Sequence, residues 1–240
     1  ANSFSFFTMV SVRRASQAMD GCRRRRWTRT RIPRASSTSL LERPLTLFWD
    51  VQVQKNGARR IDLRSALQFS NQIAFPVIIS LQQSAWDREV ELGPIAPGAV
   101  YSVPLLYSYA TAVRFRPDFP LYEWSEYYPC STHAYDFTRT KSATCTASEA
   151  EINPIWFRVH TTQTSKSVMV NVVPYISVTN KLLCDMRIRC MDKNRVTEEG
   201  EIESGRDMKL SFISVANQPM LSIKVGNFDW SDAIMLCVNK

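Results

Sequence analysis

Two stretches of this chain align when slid past one another by about one hundred residues, and self-similarity at that spacing obliges the chain to build one supersecondary unit twice. "LQFSNQIAFPVIISLQ" aligns with "ISVTNKLLCDMRIRCM", placing Asn71 on Asn180 (180 − 71 = 109). "ELGPIAPGAVYSVPLL" aligns with "EIESGRDMKLSFI", placing Gly98 on Gly205 (205 − 98 = 107). "VRFRPDFPLYEWSE" aligns with "IKVGNFDWSDA", placing Trp124 on Trp230 (230 − 124 = 106). Each unit reads as strand, Asn turn, strand, Gly turn, strand, and a Trp-Ser closing element.

Within the units the apolar residues alternate with a period of two. In "AVRFRP", Val113 and Phe115 are expected to face inward and Arg114 and Arg116 outward. "LTLFWDVQV", then "KNGARR", then "IDLRSALQFS" reads as a hairpin closed by Asn56-Gly57, a pair suited to a tight turn. "IWFRVHTT", "SVMVNVVPYISVTN", "MKLSFISV" and "MLSIKVGNF" continue the pattern, with prolines at edges and turns. No window carries a helical stripe of useful length. The expected fold class is all-β, as tandem β-sandwich-like repeats of short antiparallel strands.

The chain divides by composition into a basic segment over 1–40, a first β repeat over 41–137, a polar connector over 138–151 and a second β repeat over 152–240. "TRTKSATCTASEAE" reads as a solvated link because it lacks an apolar period. Trp49, Trp124, Trp156 and Trp230 fall on or beside strands, where large rings are expected to fill sandwich cores.

Charge narrows the partners. Residues 1–34 hold nine Arg against the single Asp20, and the remaining 21 basic residues balance 21 acidic ones, so the net charge of +8 sits wholly in the opening segment. A nucleic-acid binder spreads its basic surface over the domain that grips the phosphates, so nucleic acid is not an expected partner. In "RRRRWTRTR" alternate arginines share a face with Trp27, and guanidinium stacking on aromatic rings is the first reading for Arg23, Arg24, Arg25, Arg26, Trp27 and Arg29. Contact with anionic lipid headgroups is the second.

No chemistry-bearing constellation stands out. The chain has no phosphate-cradling Gly-rich loop, no G-x-S-x-G elbow and no H-E-x-x-H pair. Ser131, His133 and Asp136 are neighbours in "STHAYD", but catalytic triads assemble from distant segments. His133 and His160 lack metal-ligand spacing to any Cys. No enzyme activity, cofactor or metal is expected. Six cysteines without a C-x-x-C pair, and no N-x-[ST] sequon, favour a reducing, cytoplasmic setting. No run reaches the length of a membrane span, the opening has no basic n-region of a signal peptide, and the start at "ANSFSFF" suggests an excised fragment.

The ordered set of an Asn-turn strand, "GPIAPG", "VPLLYSYATAVRFRP" and "YEWSE" resembles the adaptor-binding domain of the vacuolar protein sorting-associated protein 13 family, over roughly 22–240. "RRRRWTRTR" is similar to the Arg-Trp motif of dysferlin-type domains. The resemblance implies a row of β-sandwich repeats, each with an Asn near its start, here Asn71 and Asn180. It implies a non-catalytic module of a bridge-like lipid transfer protein, docking it at organelle membrane contact sites through adaptor proteins that carry proline-containing motifs. Phospholipids would be carried by the rest of the parent chain, with the protein cytoplasmic and peripheral to the membrane. Asn71 and Asn180 are read either as structural turns or as amides that bind an extended partner peptide. An architectural segment joining a lipid-conducting rod to later repeats, or an anionic-lipid-surface module using the arginines, are the alternatives.

Overall fold

The computed structural model describes residues 10–12, 45–83, 88–130, 137–149, 152–163, 167–192, 195–214 and 217–236. Strands dominate throughout, so the all-β reading holds. The chain forms two units, Ala1–Ser65 and Ala66–Lys240.

In the first unit, β1 (Val10–Val12), β2 (Leu45–Val53) and β3 (Arg59–Ser65) form one antiparallel sheet in that order. The β2–β3 hairpin closes as its sequence predicts: Gly57 takes φ +82°, and Asn56 Oδ1 accepts the Ala58 N–H at 3.0 Å.

The second unit contains two sandwiches. In the first, β4 (Leu67–Asn71), β5 (Val77–Gln83), β6 (Arg88–Ile95), β7 (Val100–Ser102), β8 (Ala112–Pro117) and β9 (Tyr128–Pro129) are followed by a meander of β10 (Phe137–Cys145), β11 (Ile155–Gln163) and β12 (Val168–Pro174). One sheet runs β6-β5-β8-β9 and the other β10-β11-β12-β4-β7, with β12 parallel to β4. Inward residues of both sheets meet in one core. Phe115 sits at its centre, with ring centroids 6.2 Å from Phe69, 6.0 Å from Phe157 and 5.9 Å from Tyr128. Strand β8 buries Val113 and Phe115 and turns Arg114 and Arg116 outward, as alternation requires.

The second sandwich repeats strands β4 to β9 of the first. Strands β13 (Ile176–Thr179), β14 (Met186–Asp192), β15 (Arg195–Ile202), β16 (Asp207–Leu210), β17 (Met220–Val225) and β18 (Ile234–Met235) pair as β15-β14-β17-β18 and β13-β16. These orders match β6-β5-β8-β9 and β4-β7. A smaller core of Met186, Ile188, Cys190, Ile202, Leu210, Ile213 and Leu221 fills it.

Three expectations change. The stretch 138–151 is not a connector along its length, because residues up to Cys145 form the edge strand β10. Its period was hidden because the inward positions carry the small Ala143 and Cys145 while Thr138 and Thr140 face solvent. The repeat boundaries shift with it: the meander through Pro174 completes the first sandwich, the second starts at Ile176, and the β2–β3 hairpin belongs to a unit of its own. The tryptophans stay out of the cores: Trp49 is exposed, and Trp124, Trp156 and Trp230 are half-buried.

The two sandwiches are joined by more than chain continuity. Strand β12 passes into β13 through the single residue Tyr175, whose ring lies under Arg158 at 4.8 Å. The Trp156 N–H on β11 donates to the Ser211 carbonyl at 2.8 Å, and Phe212 packs against the first core. Glu198 on β15 holds that link in place, accepting the N–H groups of Ser211 at 3.0 Å and Phe212 at 3.1 Å. Burial pushes the Glu198 carboxyl above its ordinary pKa, against the opposing pull of those two N–H groups. The unfolded chain lacks that burial, so Glu198 protonates more readily in the folded state. The stability it confers is complete below the ordinary glutamate pKa and is lost as pH rises through the raised folded value. Glu198→Gln, which keeps a carbonyl acceptor but no charge, is expected to flatten this decline in urea midpoints measured from about pH 4 to about pH 7.

Candidate functional site

The two landmark asparagines are built identically. Asn71 is buried, its Nδ2 donates to the carbonyls of Phe75 and Ile95, both at 2.8 Å, and its Oδ1 accepts the Ile73 N–H at 3.1 Å. Asn180 is buried too, donating to Cys184 and Ile202 carbonyls at 2.8 Å each and accepting the Leu182 N–H at 2.9 Å. The backbone of each also pairs with the Gly turn: Gly98 N–H donates to Asn71 at 2.6 Å, and Gly205 N–H to Asn180 at 2.9 Å. Gly98 and Gly205 sit at φ +75° and +76°, where a side chain would be strained. One amide thus ties together the loop after its own strand, the end of the edge strand β6 or β15, and the following turn. Both amide hydrogens are spent inside the fold, so neither amide has an N–H left to donate to an extended peptide.

The Trp-Ser element is a clasp on the outer face. Ser125 donates its backbone N–H to the Phe115 carbonyl at 2.8 Å, and its Oγ accepts the Phe115 N–H at 3.0 Å while donating to the Glu126 carbonyl at 2.9 Å. Ser231 makes the same three bonds to Ile223 and Asp232, at 2.8, 3.0 and 3.0 Å. The adjacent indoles are capped by guanidinium groups: Arg114 and Arg116 lie 4.9 and 4.7 Å over Trp124, and Arg189 lies 4.4 Å over Trp230. The capping arginine changes strand between repeats. Arg114 on β8 faces Ser80 on β5, whereas Arg189 on β14 faces Ser222 on β17, so Arg and Ser have exchanged sides of one cross-strand pair. Glu89 joins the first cluster, bonded to Tyr127, Arg114 and Ser80, and the Tyr127 hydroxyl leads the groups that hold its carboxyl below the usual range. These stacks orient the clasp and explain why the tryptophans are absent from the core.

The loop after each asparagine differs in a way alignment alone does not reveal. In the first repeat Ile73 and Phe75 are buried and Ala74 faces out. In the second, Leu182 is 45% exposed, Leu183 is 100% exposed and Cys184 is exposed. An asparagine-braced loop therefore presents a leucine wholly to solvent. Burial pushes the thiols of Cys130, Cys145 and Cys190 up to about 12.

Arg23, Arg24, Arg25, Arg26, Trp27 and Arg29 lie outside the described residues, as do Ser131, His133 and Asp136. His160 is described on β11, with Nδ1 2.9 Å from Thr140 Oγ1. Among the described residues no group of three His, Cys, Asp or Glu could hold a metal ion, and no helix is long and apolar enough to cross a membrane.

A search of curated proteins finds no match to this chain. A family model described as "Vacuolar-sorting associated protein 13, adaptor binding domain" matches residues 38–240. That span takes in both asparagine turns, both Gly turns and both Trp-Ser clasps, and with them the order of elements that the repeats share. The chain belongs to the vacuolar-sorting associated protein 13 adaptor-binding domain family.

Proposed function

We propose that this chain is a non-catalytic docking module of a bridge-like lipid transfer protein, which it tethers to organelle membranes by binding adaptor proteins with proline-containing motifs. The family match carries the adaptor-binding part of this reading. The braced loop at 181–185 supplies a place for it: Leu183 is an apolar anchor against which a proline ring can pack, held by the buried Asn180. Asn71 and Asn180 act in this scheme as positioning residues. The near-neutral repeats favour recognition by shape and backbone pairing over phosphate attraction.

The test is a pull-down of proline-motif peptides on the chain at low and high salt, beside flotation with anionic liposomes. Capture that survives salt and is lost in Leu183→Asp supports the docking reading. Capture unchanged in Leu183→Asp and in a folded Asn180→Ala variant removes these residues from the site. Liposome binding that falls steeply with salt, without peptide capture, would favour the lipid-surface alternative. Binding of neither would leave the architectural role.

A further inference from the structure

The turn that leads from β8 into the first Trp-Ser clasp has a counterpart in the second sandwich, and the two differ in chemistry. Phe119-Pro120-Leu121-Tyr122 is closed by the Tyr122 N–H donating to the Phe119 carbonyl at 3.3 Å, and Val225-Gly226-Asn227-Phe228 by the Phe228 N–H donating to the Val225 carbonyl at 3.1 Å. Each turn ends two residues before its tryptophan, Trp124 or Trp230. Pro120 suits the second position of such a turn because its ring already sets φ there, whereas Gly226 stands at that position with φ +52°. The tip is therefore small and polar in the second sandwich and apolar in the first. The second sandwich makes the turn without an apolar tip, so the fold does not require one.

In the first sandwich that tip is open. Phe119 is 43% exposed and Leu121 40%, with Pro120 exposed between them. All nine strands β4 to β12 of this sandwich, and the sandwich that follows it, are in place while the tip stays open. The Phe119 ring rests on two others, 5.8 Å from Phe75 and 6.3 Å from Tyr122. Phe75 belongs to the loop that Asn71 braces, through the 2.8 Å bond from Asn71 Nδ2 to its carbonyl. On the other side the Leu121 carbonyl accepts the Ser148 N–H at 2.8 Å and the Ser148 hydroxyl at 3.1 Å, so the tip is pinned at both ends.

The rim of this patch carries one sign of charge. Asp118 precedes the turn and Glu123 follows it, and the antiparallel pairing of Tyr122 with Ala147 brings Glu149 opposite Pro120. All three acids are exposed, and the segments 71–76, 117–123 and 146–149 contain no Lys or Arg. We propose that this turn docks a partner peptide in which a large apolar side chain is flanked by Lys or Arg. The apolar side chain packs on Phe119 and Leu121, while its basic neighbours meet Asp118, Glu123 and Glu149. Charge complementarity selects this occupant, since the same rim repels an acidic peptide or an anionic lipid surface. The site lies on the first repeat and does not rest on the adaptor reading, which uses Leu183 on the second.

The experiment is fluorescence anisotropy of a labelled peptide with a phenylalanine between two pairs of lysines, titrated with the whole 240-residue chain. Two control peptides carry alanine in place of the phenylalanine, or glutamates in place of the lysines. Pro120→Gly with Leu121→Asn gives the tip the second repeat's own turn residues, so folding is spared, and is expected to weaken binding of the phenylalanine peptide about tenfold. Asp118→Asn with Glu149→Gln is expected to weaken it about fivefold and to flatten its loss with salt. The alanine and glutamate peptides are expected to bind the wild type at least as poorly as these variants bind the phenylalanine peptide, and Leu183→Ser to change nothing. No binding of the phenylalanine peptide, equal binding of either control, or binding unchanged in both variants would overturn the proposal. So would loss of binding in Leu183→Ser, which would place the peptide on the loop at 181–185 instead. Should Pro120→Gly with Leu121→Asn not fold, the Asp118→Asn, Glu149→Gln variant and the alanine peptide decide it.

Discussion

Asn71→Asp is expected to cost the first sandwich about 4 kcal/mol. The substitution turns a donor into an acceptor in front of two carbonyls, those of Phe75 and Ile95 at 2.8 Å, in a site without solvent. Each buried group left without its partner costs about 1–3 kcal/mol, and the new carboxylate adds its own desolvation. Asn71→Ala leaves the same carbonyls and the Ile73 N–H unpaired but introduces no charge, so about 3 kcal/mol is expected. The check is a urea titration in which the midpoint falls while the slope stays constant. A loss under about 1 kcal/mol for both variants would mean that the turn stands without its amide. Asn180→Asp should act in the same direction on the second sandwich, since its three bonds are the same.

Phe115→Ala is expected to cost about 4 kcal/mol through the cavity it leaves between Phe69, Phe157 and Tyr128. Those rings come from both sheets, so no single strand can shift to fill the space. Ile188→Ala in the smaller second core should cost less, about 2–3 kcal/mol. Two-step unfolding by fluorescence, with Phe115→Ala moving one step and Ile188→Ala the other, would confirm that each core supports its own sandwich. Equal loss in a single step would show instead that the link through Phe212 and Trp156 couples them fully.

The parts of this fold that were legible in the sequence are those where one residue type does a job no other does. Asparagine in a buried turn, glycine at positive φ and the Trp-Ser pair of the clasp, Trp124 on Trp230, left three landmarks that alignment could find. The edge strand β10 was not legible because its inward face carries the small Ala143 and Cys145, which leave no apolar period, whereas β11 and β12 were read as strands but not assigned to the first sandwich. The tryptophans misled because a large ring in a strand-rich chain suggests burial, whereas here a guanidinium covers it from the next strand. For the site, the positions Asn71 and Asn180 were found from sequence but not their orientation, which depends on carbonyls 22 to 24 residues away in the chain. The alignment sets Ala74 on Leu183, but that Leu183 is wholly open to solvent is seen only in the folded loop.

The parallel pairing of β12 on β4 also fixes how the molecule answers a pull. The chain enters β4 from β3 at Leu67 and leaves β12 toward β13 at Pro174, so tension along the chain draws two parallel strands from opposite ends. The ladder between them is loaded in shear, and its hydrogen bonds must fail together rather than peel one by one. A chain built this way resists extension at the very strand that passes the load to the next sandwich.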